Sequence, residues 1–394
     1  FSIHLDVPLA LRLVDLPPTV DPALPGACRY VRCEEWLDGG KLSAETLSRV
    51  VDSARIGQPG DLFHLKAGRL FATLGHAQLV DEYTNAADWD RRHSGIYAES
   101  NLSQANTHIE ALAGDIVAPQ NFVAARVTTS PMALSGEQLA DANELDRFLG
   151  RFQLGFEFAG DFDAPLDPVD PNGDVVPGSR SRPVVGGSAD ATWPLFDEDG
   201  SLQIAPYVAA SMNAGLAPIE PGFGGATGID VDVDAVFVAF RANGAFLLDG
   251  PGHRTGLFDT LYDVDRKSYA TGVVFPRVIS VTGAPVPSFS RTGIATLRED
   301  GGVGFDAGAE ALVMHAVRVG ARVHAPSTLE DRRIEAFVAV ETDDIRVDAR
   351  AIQRAFDFGA PVVLGPHGYV VADAEWRVLA PFTLRPEPGA RRRV

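Results

Sequence analysis

Apolar and polar side chains alternate one by one along much of this chain. That is the period of a β-strand, whose successive side chains point to opposite faces. Between Phe1 and Asp15, the residues Ile3, Leu5, Val7, Leu9, Leu11 and Leu13 share one face, while His4, Asp6, Pro8, Ala10 and Arg12 share the other. The pattern returns with Ile229, Val231, Val233, Ala235 and Phe237 set against Asp230, Asp232 and Asp234. It returns again with Phe152, Leu154, Phe156 and Phe158 against Gln153, Gly155 and Glu157, and with Phe305, Ala307, Ala309 and Ala311 against Asp306, Gly308 and Glu310. Two later runs oppose Ile334, Ala336, Val338 and Val340 to Glu335 and Glu341, and Val370, Ala372, Ala374, Trp376, Val378 and Phe382 to Asp373, Glu375 and Arg377. Strands of soluble sandwiches average about 5–6 residues, whereas a tilted membrane strand needs about 9–11. With less regular runs at 62–71, 93–103, 106–117, 121–130, 184–196, 201–212, 244–258, 287–298, 319–328 and 350–364, the pattern predicts about 16 strands, and outer-membrane barrels favour an even number.

Turn chemistry separates the runs. Asp197–Gly200 (DEDG) and Arg298–Gly302 (REDGG) carry hairpin signals. Three connections are long: 16–61, 72–92 and the Asp-, Pro- and Gly-rich 164–183. Within the first, SAETLSRVVDSA spaces Leu47, Val50, Val51 and Ala54 as a short helix would, which makes 16–61 a candidate plug. Long loops on one side and short turns on the other are how outer-membrane barrels are built. The pattern therefore predicts an all-β chain, a single closed antiparallel transmembrane barrel over 1–394, with apolar side chains toward lipid and polar ones toward a lumen. A large soluble sandwich or propeller is the competing architecture, because alternation alone does not say which face meets water.

Composition narrows this further. The 39 Gly and 27 Pro against 3 Met suit many turns and few long helices. A net charge of −19 argues against a nucleic-acid partner. No run of about 18 apolar residues predicts a membrane helix, a test that does not bear on barrels. Phe1 stands inside a strand-like pattern, as at a processed or cut end, so the missing leader says little about location. Cys28 and Cys33, in CRYVRC, do not have zinc-site spacing, and the favoured reading is a small loop disulfide in an oxidising compartment.

The stretch from Arg32 to Met132 resembles bacterial outer-membrane barrel proteins of porin type. It carries Glu34, Glu35 and Trp36 ahead of a short helix, a strand with AGRL, then TLGHAQLV with Gly75 and His76, and the run YTNAADWD. Weaker likeness continues in ALAGDIVAPQNFVAARV and LYDVDRKSY. The resemblance implies architecture and an outer-membrane location, and no reaction. Unlike many such barrels, which end on an aromatic residue, this chain follows Phe382 with a basic tail ending ARRRV.

The candidate chemistry is that of a lumen. The expected inward acids are Asp6, Glu110, Glu157, Asp230, Asp232, Asp234, Asp306, Glu310, Glu335, Glu341, Asp373 and Glu375, against the bases Arg12, Lys66, Arg126, Arg151 and Arg377. An acid excess predicts a cation-favouring channel for small polar solutes. The alternative is a non-channel scaffold, receptor or sheath subunit with an outer-membrane or periplasmic protein partner. His76, with Asp81, Asp88 and Asp90 nearby in sequence, could suggest a metal or hydrolase centre, but no GxSxG elbow occurs and a hydrogen-bonded turn against the lumen wall is preferred. DPNGD at 170–174 matches only part of a calcium loop, so neither cofactor nor metal is expected.

Overall fold

The computed structural model describes residues 2–5, 51–85, 93–133, 143–165, 181–196, 201–215, 221–235, 237–259, 274–279, 285–287, 301–314, 316–326, 332–342, 345–354 and 368–376. A single antiparallel sheet of 17 strands dominates it. We number its strands β1 (Ser2–Leu5), β2 (Val51–Ile56), β3 (His64–Gly68), β4 (Gly95–Leu102), β5 (Thr107–Ala113), β6 (Val123–Thr129), β7 (Gln153–Pro165) and β8 (Ser181–Thr192). The second half is β9 (Leu202–Ala214), β10 (Gly222–Ala235), β11 (Val238–Asp249), β12 (Gly302–Val313), β13 (Val317–Ala325), β14 (Arg333–Glu341), β15 (Ile345–Arg354) and β16 (Gly368–Trp376). The two-residue strand Leu195–Phe196 adds to β9. Each numbered strand pairs with its neighbour in sequence, an up-and-down meander from β1 to β16. Among the described pairings β1 and β16 are not joined to each other. Among the described residues no helix is long and apolar enough to cross a membrane.

Connections differ at the two rims. At one rim the links include 57–63, 103–106, 236–237, 314–316 and 342–344, with longer ones at 130–152 and 193–201. The opposite rim carries 69–94, 166–180, 250–301 and 355–367. Met314, at φ +51°, closes the β12–β13 turn and its N–H donates to the carbonyl of Phe237 in the neighbouring β10–β11 turn, 2.8 Å away.

The faces of the sheet are inverted relative to a water-soluble fold. Phe156, Phe246, Leu248 and Val303 are 54, 70, 62 and 68% exposed, while the opposite face buries Arg126, Glu157, Asp190, Asp306, His324, Arg333 and Glu335. Ala309 is likewise on the exposed face and Val231 is half-buried; the side chain of Leu5 lies outside the described residues.

Two sequence expectations need correction. Alternation through Ile229–Phe237 is not one strand: β10 stops at Ala235 and Phe237 sits in a hairpin turn. The two-residue link keeps the alternation in phase, so the pattern hides the turn. Val51–Ala54, expected at the end of a helix, lie in β2, because pairing with β1 and β3 overrides a local helical spacing. Arg298–Asp300 of REDGG lie outside the described residues, and the link 250–301 that contains them joins the paired strands β11 and β12. Cys28, Cys33 and the segments 16–50, 170–174 and 377–394 lie outside the described residues.

The peptide 69–85, from the long-link rim, folds onto the polar face instead of into solvent. It packs Leu74, Leu79, Val80 and Tyr83 against Leu257 and Phe258 from 250–259 and against wall residues Leu112, Phe122, Ala124, Ala159 and Val184. Phe258–Asp259 runs parallel to Val80–Asp81, tying the two inward peptides together. The Tyr83 and Phe258 rings lie 4.2 and 4.8 Å from that of Phe122. Asn85 fastens the bend: its Oδ1 accepts from Leu70 N–H at 2.8 Å and its Nδ2 donates to the carbonyls of Gly68, His93 and Gly114.

Candidate functional site

Residues 76–85 are hydrogen-bonded or ion-paired to the polar face of strands far apart in the sheet. Val80 N–H donates to Glu157 on β7 at 3.1 Å, and His76 Nε2 is 2.7 Å from Thr192 Oγ1 on β8. His76 Nδ1 is 3.0 Å from an oxygen of Asp230 on β10, and the ring stacks on Tyr207 of β9 at 3.7 Å. Arg322 on β13 and Arg333 on β14 each bind one oxygen of Asp81, Arg333 at 2.7 Å. Arg350 on β15 lies 3.6 Å from Glu82. One short peptide reaches both β3, through Gly68, and β15 only because the sheet curls around it.

The interior is a set of paired charges. Arg126 holds Asp190 through two bonds of 2.7 and 3.0 Å. Gly75, at φ +54°, leaves it room, since a Cβ there would come 2.2 Å from the guanidinium. Arg333 also binds Asp259 at 2.8 Å, so this one guanidinium links both inward peptides to the wall. Asp306 accepts from Arg322, from Asn243 at 2.8 Å and from His324 Nδ1 at 2.8 Å. Glu335 pairs with Arg350 at 2.7 Å. Buried charges are tolerated only when matched in this way.

The expected acids whose side chains are described lie on the polar face of the sheet, and most of them are engaged. Glu110 accepts from the Tyr97 hydroxyl at 2.6 Å. Asp232 pairs with Arg241 at 2.9 Å, and Glu310 with Arg318 Nε at 2.9 Å. Asp230 is held by His76, and Asp234 is exposed beside the β10–β11 turn. The cluster Asp230–Asp234 is thus not a block of unpaired charge: bases from the next strand and the inward peptide fill it. Lys66 lies on β3 and Arg126 on the buried polar face, while Arg151 is exposed at the end of the helix Glu144–Gly150, off the sheet. Asp373 and Glu375 sit on β16 and Glu341 ends β14, with their side chains outside the described residues, as are Asp6, Arg12 and Arg377 altogether.

Among the described residues the peptides on the polar face are 69–85 and 250–259; residues 16–50 of the expected plug 16–61 lie outside the described residues. His76 is a hydrogen-bonded turn residue against the wall, as preferred. It and Asp81 bind different partners, so they form no joint centre; Asp88 and Asp90 lie outside the described residues. Asp81, Asp306 and His324 bring ligand atoms within 4.8 Å of one another, a grouping a metal could use. Both oxygens of Asp81 are engaged by guanidinium groups, however, and a cation there would stand against Arg322 and Arg333. The chemistry is that of an ion-pair latch. Sequence reasoning missed Arg322, His324, Arg333 and Arg350, although the first two alternate in phase with Val319, Ala321 and Val323.

No family model matches the chain, and no curated protein matches it.

Proposed function

We propose that this chain is an outer-membrane β-barrel of porin type, closed by its end strands, whose lumen is narrowed by the inward peptides 69–85 and 250–259. The inverted sheet carries the reading. A face bearing Phe156, Phe246, Leu248 and Val303 toward the outside has hydrocarbon as its natural solvent, while the opposite face buries matched charges. Its role is the passage of small polar solutes, with a weak preference for cations, through the space the latch leaves. The latch supports a second reading, a barrel that scaffolds or receives an outer-membrane or periplasmic protein, because an apolar core and ion pairs inside the wall oppose free diffusion.

Conductance of the purified chain in planar bilayers, with reversal potential across a salt gradient, separates the two. The channel reading expects small, weakly cation-selective openings that widen when Asp81→Asn loosens the latch. Silence in both forms, or an anion-selective reversal potential, rejects it; silence leaves the scaffold reading.

A further inference from the structure

Near the long-link rim three residues make contacts that the latch does not need. Ser211 on β9 lies 2.8 Å from His253 Nε2, and His253 Nδ1 lies 2.8 Å from Asp249 Oδ1 at the end of β11. An ionised Asp249 has only lone pairs to offer, so it selects the tautomer with the proton on Nδ1. Nε2 is then the acceptor for the Ser211 hydroxyl, the arrangement a general base requires. Thr255 Oγ1 donates to the same Asp249 oxygen at 2.8 Å and steadies the carboxylate. The seat for His253 is cut from glycine: a Cβ at Gly224 would stand 2.2 Å from Nδ1, and one at Gly222 would stand 2.1 Å from the His253 backbone nitrogen.

We propose that Ser211, His253 and Asp249 form an acyl-transfer site at the rim of the lumen, acting on small water-soluble esters. This goes beyond the proposed channel or scaffold role. Ser211 Oγ attacks the ester carbonyl carbon as its proton passes to His253 Nε2. The C–O bond to the alcohol breaks, the alcohol leaves with that proton, and an acyl-Ser211 remains. Water then attacks the acyl carbon, gives its proton to His253 Nε2 and releases the acid, and the serine hydroxyl is restored with the proton from His253. Ser211 and His253 are the catalytic residues and Asp249 is a positioning residue. Gln78 stands beside the nucleophile, its Oε1 a longer second acceptor 3.5 Å from Ser211 Oγ and its Nε2 donating to the His76 carbonyl at 3.2 Å. Ser211 is only 5% exposed and sits on the polar face near the rim, so a substrate must be small and must reach it from that face.

The same hydrogen bonds would also serve a merely structural strap holding 250–256 to the wall, and covalent labelling separates the two. The folded full chain in detergent is treated with a small alkyl fluorophosphonate, the adduct is located by mass spectrometry, and p-nitrophenyl acetate hydrolysis is followed against pH. The expected result is a single adduct on Ser211, absent in Ser211→Ala. Labelling should be slower by about 10²–10⁴-fold in His253→Gln, the range a general base contributes. Asp249→Asn should alter the pH profile of labelling, and Gly224→Ala should suppress labelling while leaving Ser211 itself untouched. No adduct on the folded wild-type chain, or an adduct whose rate is unchanged in His253→Gln, overturns the proposal.

Discussion

Asp81, on a peptide folded into the sheet from one rim, lies 2.7 Å from Arg333 in the wall. Both side chains are almost fully buried, and the other guanidinium nitrogen of Arg333 holds Asp259 from the second inward peptide. The charge network and the apolar core beneath it therefore fasten the same two peptides.

Arg333→Ala should be severely destabilising. It leaves the buried Asp259 without this partner and Asp81 with only Arg322, and breaking a buried pair costs about 3–5 kcal/mol. Thermal unfolding of the detergent-solubilised chain should show it, and the double variant Asp81→Asn with Arg333→Ala should lose less than the sum of the single losses. Strict additivity would mean that the two side chains are not coupled.

Phe246→Arg distinguishes lipid from water outside the sheet. In lipid the change should cost up to about 2–4 kcal/mol near the midplane and less toward the rims. A 70% exposed phenylalanine on a water-facing surface could be replaced by arginine at little cost. Urea-dependent folding into lipid vesicles is the measurement, and an unchanged midpoint contradicts a lipid-facing sheet.

Gly75→Val should push the inward peptide away from the wall. The added side chain meets Arg126 and must also adopt a positive φ. Limited proteolysis should then cut within 69–93 faster than in the wild type, with the strands protected. Equal protection would show that the peptide is not held through this contact.

Acid should loosen the turn after β5. Burial alone would push the Asp115 carboxyl upward, but His93, whose Nδ1 is 3.0 Å away, and the backbone N–H groups of Val117 and Ala118 outweigh it and hold it below the usual carboxylate value. A carboxyl lowered in the folded state contributes stability that is present above the unfolded value and is lost as pH falls through the folded one. Amide exchange at 114–118 should therefore quicken, beyond its intrinsic pH dependence, below about pH 4, near the ordinary carboxylate range. Asp115→Asn should remove that extra step; its persistence in the variant would assign it to another group.

Selectivity should be weaker than a bare count of inward acids suggests. Asp232 is matched by Arg241, so the double variant Asp232→Asn with Arg241→Gln should leave the reversal potential nearly unchanged, while Arg241→Gln alone should raise cation preference and Asp232→Asn alone should lower it. The shifts should be largest at low salt, where the screening length is roughly 30 Å at 0.01 M. A large loss of selectivity in the double variant would restore the unpaired-acid view.

Period-two alternation by itself determined most of the long strands and which residues share a face, because side-chain direction in a strand is a local property of the backbone. Phe156 fell on the face opposite Glu157, and Phe305 on the face opposite Asp306, for that reason. Alternation did not determine where β10 ends, since a two-residue link preserves its phase, nor whether 69–85 turns outward or inward. Only the tertiary structure decided that Leu74, Leu79 and Val80 cover Leu112, Ala124 and Val184, apolar positions on an otherwise polar face. The pairing of Asp81 with Arg322 and Arg333, and the meeting of Ser211 with His253 and Asp249, join residues from separate strands and links. Such contacts arise from how the sheet curls and where its long links fold, and no local spacing encodes them.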